Sequence, residues 1–496
     1  MSEPALATTG ETSQPKSWGL ALGALAAVVV VLSGILLGRV LTSSNWPLAI
    51  TAVGMGAIIL IMLAKPPVGL TVWILLAPYA EYIHLKIDLG SGIPDLDISR
   101  IAILLLTFRL IAEIATPPKE RIGAALRRLP RITWPDIMMI AFVLGILLSM
   151  RPSARRDATG IRNIFEFIAI PLLMYYIAPA LIYYFARDWL QSTPALRMII
   201  GAVALGSTLL GIITIREQLT GHALFSPVAQ SLVYEGTIRK VLSLFGAPAI
   251  MTTALVVPIP FLLYGLLEAR TTGRRLLLGL ALVITLAGVF FVYVRGGWLG
   301  AVLGIIAMAA LSPNIRCVVL RMLPVVVLVA VLITTIVVAP NVIEKRLASS
   351  APIGYRLIAW KLAWELYRTS PVIGIGYDAF NSSAVTQFGW TPHDVVGYLP
   401  SIHNSYLYVL VSGGLLAFVP YLGIFLSLAW RGRVFWRQPT NRELVATLWA
   451  TLLGYMTING TVDALNVHYS NILLFLIIGA LIGRLEETSG EVLVCE

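Results

Sequence analysis

His403 stands directly before Asn404 at the start of a long apolar run, and Gly413-Gly414 follow ten residues later. Histidine is the side chain best suited to exchange a proton near neutral pH, so an imidazole at the mouth of a helix bundle can act as a general base. It can equally be structural. Arg295 lies between two apolar runs, in Phe291-Val292-Tyr293-Val294-Arg295-Gly296-Gly297-Trp298-Leu299, with almost no loop to retreat into. Gly296 and Gly297 are expected to permit a tight backbone reversal there. A cation fixed so close to hydrocarbon is a functional candidate by default. Further cations gather in the same class of loop: Arg151, Arg155, Arg156 and Arg162, then Arg216, Arg239 and Lys240, then Arg346, Arg356 and Arg368. Arginine presents a rigid fork of donors suited to phosphate oxygens. Any one of these arginines could instead snorkel toward lipid headgroups, but the set as a whole favours an anionic ligand. Asp95-Leu96-Asp97 could hold a divalent cation. Loop aspartates more commonly cap or turn the chain, and a metal site is not expected there. No HxxxH, CxxC, P-loop or nucleophile-elbow pattern points to zinc, nucleotide hydrolysis or serine chemistry.

The elements that must position these groups are membrane helices. Of the 496 residues, 58% are apolar and only 12% charged, against roughly 45–50% and about 25% in a soluble domain. This balance excludes a disordered chain, a disulfide scaffold and an ordinary soluble enzyme. About fourteen apolar runs can be read as spans, near 18–38, 46–64, 66–80, 98–115, 136–150, 164–185, 195–215, 247–267, 276–294, 298–311, 323–339, 405–430, 444–460 and 471–484. The fold class expected is therefore all-α, a polytopic membrane helix bundle with a partly helical large outer loop.

Orientation follows from the bias of Lys and Arg toward cytoplasmic loops. With the N-terminus inside, 19 of the 36 cations fall on the cytoplasmic side, including the clusters at 119–131, 270–275 and 431–442. The net charge of +11 is thereby accounted for mainly by topology, not by a nucleic-acid partner. Cys317 and Cys495 fall on the same, reducing side. The division expected is a cytoplasmic tail over 1–17, a bundle of eleven spans over 18–339, a large extracytoplasmic loop over 340–404, three further spans over 405–484, and a cytoplasmic tail over 485–496. Within the large loop, Ile353, Leu357, Trp360, Trp364 and Tyr367 recur at helical spacing. That helix would either lie at the membrane surface or pack on its own loop.

Three ordered stretches resemble the O-antigen ligase and polymerase superfamily of bacterial membrane proteins. Arg239-Lys240-Val241-Leu242-Ser243-Leu244-Phe245-Gly246-Ala247-Pro248 looks like the family's arginine segment with its Phe-x-x-Pro. Arg295 to Leu299 matches an Arg-x-x-x-Leu motif, and His403-Asn404 followed by Gly414 matches a His-[Asn/Ser/Gln]-x9-Gly pattern. Pro371 to Tyr377 resembles the family's Pro-x-x-Gly-x-Gly segment, with Gly374 and Gly376 in the glycine positions. The resemblance implies a GT-C-like bundle in the bacterial inner membrane with its active site facing the periplasm. It implies metal-independent, inverting transfer of a glycan from undecaprenyl diphosphate, without a cofactor. The acceptor would be lipid A–core in a ligase or a growing glycan in a polymerase. On these positions it implies His403 as catalytic base and Arg239 and Arg295 as diphosphate ligands, with Asn404, Gly414, Arg356, Gly374, Gly376, Arg155 and Arg162 in supporting or acceptor-loop roles. A transporter, whether a lipid-linked glycan flippase or an anion or bicarbonate carrier, is the competing expectation.

Overall fold

The computed structural model describes residues 46–79, 86–87, 96–115, 132–150, 170–224, 233–234, 238–239, 241–242, 244–332, 351–377, 379–380 and 402–489. The first expected span, near 18–38, lies outside them, as do Arg155, Arg162 and Asp95.

The described chain is helical. It begins with α1 (Trp46–Ala64), α2 (Pro66–Leu76), α3 (Ile98–Ala115) and α4 (Trp134–Ser149). A π-turn at Leu172–Ile177 opens α5 (Ala178–Trp189), and α6 (Thr193–Thr220) follows. Then come α7 (Pro248–Val256), α8 (Ile259–Glu268), α9 (Thr272–Phe291), α10 (Arg295–Leu311) and α11 (Pro313–Leu332). The last four are α12 (Ala351–Thr369), α13 (Ser405–Trp436), α14 (Arg442–Asn459) and α15 (His468–Thr488). Two antiparallel pairings of two residues each interrupt this pattern: β1 (Lys86–Ile87) with β2 (Leu96–Asp97), and β3 (Val233–Tyr234) with β4 (Ile238–Arg239).

Among the described residues, five helical stretches are long and apolar enough to cross a membrane: α6, α7 with α8, α9, α13 and α15. Helices α2, α4 and α10 are apolar but shorter, so the count of about fourteen is not fixed by helix length. The expected span near 247–267 is two helices, because Pro258 removes a backbone donor and Val257-Pro258 forms a turn.

Burial orders the bundle. The apolar windows of α7–α8 and α15 are 89% buried within the protein, whereas that of α9 is only 39% buried. Helix α15 is therefore central, and α9 turns Leu276, Leu277 and Leu280 outward. An outward face rich in leucine suits hydrocarbon, not water. Small residues set the closest approaches. A Cβ on Gly300 would lie 2.9 Å from the Gly454 carbonyl oxygen, so α10 and α14 pack almost backbone to backbone. That contact fixes the height of Arg295, the first residue of α10.

Helix α12 presents two apolar faces. Ala359, Leu362, Ala363 and Leu366 are buried against the bundle, while Ile353, Leu357, Ile358 and Trp364 are exposed. The helix thus docks through its small residues, and the stripe read from the sequence is largely the outward one.

Candidate active site

At one end of the bundle the polypeptide between α14 and α15 forms a small polar hub. Asn404 caps the N-terminus of α13: its side-chain oxygen accepts from the Leu407 N–H at 3.1 Å. Asp463, in the hub, accepts from the backbone N–H of Asn404 at 3.0 Å through one carboxylate oxygen and from that of His403 at 3.2 Å through the other. The Ser405 hydroxyl donates to the Val462 carbonyl and accepts from the Leu465 N–H. Asn404 also donates to the Gly460 carbonyl at 3.3 Å. These bonds hold His403 with φ of 49°, a left-handed conformation that costs a non-glycine residue about 1–3 kcal/mol and so needs such support. The imidazole itself is 46% exposed, with its Nδ1 3.8 Å from an Asp463 oxygen.

The electrostatics of His403 are mixed. Burial of the ring lowers its pKa from the ordinary 6.5, the Asp463 charge opposes that shift, and the Arg356 charge adds to it. The net direction is downward, which keeps the imidazole neutral at neutral pH. Arg356 is carried by α12, and Trp360, one turn further on, donates to the Ile402 carbonyl at 2.8 Å. Helix α12 is thus fastened to the residue immediately before His403.

The first turn of α10, which begins at Arg295, abuts the same hub through Gly296. The reversal between α9 and α10 is made by Tyr293 at φ of 56°, not by the glycines that the sequence suggests. Trp298 locks it by donating to the carbonyls of Val289 and Phe290, with its ring stacked on Phe290 at 5.7 Å. Gly296 and Gly297 lie inside the helix, and their work is close approach: a Cβ on Gly296 would collide with Thr461, and one on Gly297 with Thr252. Thr461 belongs to the hub that carries Asp463. The first turn of α10 and the His403 segment therefore rest on the same few residues.

Arg239 is placed by its backbone alone, in β4 opposite Val233. Three residues on, the Leu242 N–H donates to the Glu217 carboxylate at 2.8 Å, and Glu217 is fully buried at the end of α6. Phe245 then stacks on Tyr469 of α15 at 5.7 Å before Pro248 opens α7. The arginine segment is thus anchored next to His468, where the hub ends.

Gly374, Gly376 and Gly414 form one device. Helix α13 is broken at Gly414, with φ of 60° and ψ of −162°, a region open essentially to glycine alone. The segment Pro371 to Gly376 inserts at the break. The N–H groups of Ile375 and Gly376 donate to the carbonyls of Val411 and Ser412, and those of Leu415 and Leu416 donate to the carbonyls of Pro371 and Val372. Both ends of the interrupted helix are satisfied, as a break in an apolar surrounding requires. A Cβ on Gly414 would strike the backbone of Val372, and one on Gly374 that of Ser412.

The structure therefore brings His403, Asn404 and the first turn of α10 onto one hub, sets Arg356 beside His403, and locks Gly374 and Gly376 into α13 near Gly414. Of Asp97 only the backbone is described, in β2 opposite Lys86. Asp463, Thr461 and Glu217 are positioning residues that the sequence reading passed over. The available signal was the acid in Gly460-Thr461-Val462-Asp463, a polar interruption between two apolar runs.

The described fold is that of a multi-pass helical membrane protein with a polar site at one end of the bundle. Residues 280–422 match the family model for O-antigen ligase, which supports placement in the O-antigen ligase and polymerase superfamily. That stretch runs from within α9 to within α13 and contains Arg295, Arg356, Gly374, Gly376, His403, Asn404 and Gly414. The match favours an enzyme of the ligase or polymerase kind over the transporter expectation. No curated protein matches the chain.

Proposed function

We propose that this protein transfers a glycan from a polyprenyl diphosphate, undecaprenyl diphosphate in a bacterial inner membrane, to an acceptor sugar hydroxyl at the hub around His403. The observation that carries the reading is the shared footing of Arg295 and His403: Thr461 packs on the turn that begins with Arg295, and two residues later Asp463 holds His403. The acceptor hydroxyl attacks the anomeric carbon, its proton passes to the neutral His403 ring, and the bond from that carbon to the diphosphate oxygen breaks. Attack opposite the leaving group inverts the anomeric centre.

The diphosphate is a weak base and leaves without a general acid. Its developing charge needs fixed donors in a poorly hydrated cleft, the role assigned to Arg295 and Arg239. Protonation of His403 in the transition state is favoured by Asp463, whose carboxylate faces the ring. No step requires a metal. The site would face the periplasm, with both termini cytoplasmic and about fourteen spans in a GT-C-like arrangement. The acceptor is lipid A–core for a ligase or a glycan repeat for a polymerase.

The test uses purified protein and one labelled lipid-linked donor. Sugar transfer in detergent, without uptake or flipping in proteoliposomes, supports the proposal; movement of the donor without transfer overturns it.

A further inference from the structure

At the end of the bundle away from His403, a groove of about 1110 Å³ opens between α9 and α11, floored by α8 and closed by the start of α14. It exceeds the upper end of the roughly 300–1,000 Å³ range of small-molecule pockets. Its lining is graded along its length. Glu268, Thr272, Arg275, Asn314 and Glu443 line the end where α8 finishes and α9, α11 and α14 begin, and Arg321 stands eight residues, about 12 Å, along α11. Leu280, Val283, Met322 and Val325 line the part further into the bundle. From Thr272 to Val283 the trough is about 16 Å long at 1.5 Å per residue.

The groove carries two guanidinium groups and two carboxylates, balanced in charge, with Arg321 on the apolar side of Glu268 and Glu443. Asn314 donates to Glu443 at 2.8 Å, and the Arg275 Nε donates to the Ala269 carbonyl. Arg321 makes no ion pair among the described residues. An apolar trough ending in paired cationic and anionic groups matches a molecule with a hydrocarbon chain and a headgroup bearing both signs. A headgroup carrying only phosphate would leave the two carboxylates repelling it, and a quaternary ammonium offers them no N–H donor.

We propose that this groove binds a phospholipid whose headgroup carries a phosphate and a primary ammonium, drawn from the leaflet on that side. The phosphate meets Arg321 and Arg275, the ammonium donates to Glu268 and Glu443, and an acyl chain lies between α9 and α11. The site is remote from the transfer chemistry and does not depend on that reading.

Cys317 lines the groove and is exposed, so its thiol reports occupancy directly. In a Cys495→Ser protein it is the sole thiol. Maleimide labelling is measured in nanodiscs of phosphatidylglycerol alone, then with added phosphatidylethanolamine or added phosphatidylcholine. The expected result is labelling slowed about tenfold by phosphatidylethanolamine only, the protection given by a ligand at roughly ten times its dissociation constant. Arg321→Gln, a change at an exposed side chain, should remove that protection, and native mass spectrometry should show loss of the retained lipid. Equal labelling in all three membranes overturns the proposal, as does equal protection by phosphatidylcholine. Slow labelling in lipid-free detergent also overturns it, because the occupant would then be the chain itself.

Discussion

The Asp463 carboxylate accepts from the backbone N–H of Asn404 at 3.0 Å across 59 residues of chain. It does so at the residue that caps α13, one position after the histidine assigned as base. The acid therefore orients two things at once, the first turn of a membrane helix and the imidazole beside it.

Removing that acid should affect the chemistry more than substrate binding. Asp463→Ala frees the His403 backbone from its left-handed conformation, and turnover should fall by about 10²-fold, within the range that a general base contributes. KM for the lipid-linked donor should move little. Asp463→Asn keeps an acceptor for the backbone but drops the charge that raises the His403 pKa. It should retain more activity and shift the acid limb of its pH profile downward. Steady-state kinetics against pH separates the two variants.

Arg356 should act on the same limb in the opposite sense. The neutral imidazole is the working base, so activity is full above the folded pKa of His403 and declines as pH falls through it. Burial and then the Arg356 charge hold that pKa below 6.5. Arg356→Gln relieves the repulsion and raises the pKa, so the acid limb of kcat/KM should move to higher pH. A limb that stays in place would show that Arg356 does not act on the imidazole.

The break in α13 should tolerate no side chain. Gly414→Ala places a methyl against the Val372 backbone at positive φ, and the backbone strain alone costs about 1–3 kcal/mol. Thermal unfolding in detergent should show a clear drop in Tm. Gly354→Ala is the control, because a Cβ there meets open space and alanine is the better helix former. Its Tm should hold or rise.

Glu217 should matter through the arginine segment. Glu217→Ala leaves the buried Leu242 N–H without its acceptor, a cost of about 1–3 kcal/mol, and loosens the backbone leading from Arg239. Donor KM should rise severalfold, whereas Glu217→Gln, which keeps an acceptor oxygen, should restore it. Measurement of donor saturation in the two variants checks this.

Much of this arrangement is legible in the sequence, and the exceptions have physical causes. Helix α1 lies where its apolar run predicts, 46–64, because a long uninterrupted run has few alternatives. Hydropathy does not show that α13 is broken, since Gly413-Gly414 leaves the run apolar; only the inserted backbone from Pro371 to Gly376 shows why glycine is needed. The glycine pair suggests the reversal before α10, yet Tyr293 makes it, because Trp298 supplies enough support for positive φ. Asp463 lies 60 residues from His403, and a long-range backbone contact of that kind leaves no local pattern.

The most direct test of the central claim is the single-turnover rate of glycan transfer by purified His403→Ala, with labelled lipid-linked donor and acceptor at saturation. The account predicts a loss of about 10²-fold or more, with the variant folded, inserted and still binding donor through its arginines. Transfer at close to the unmodified rate would contradict it.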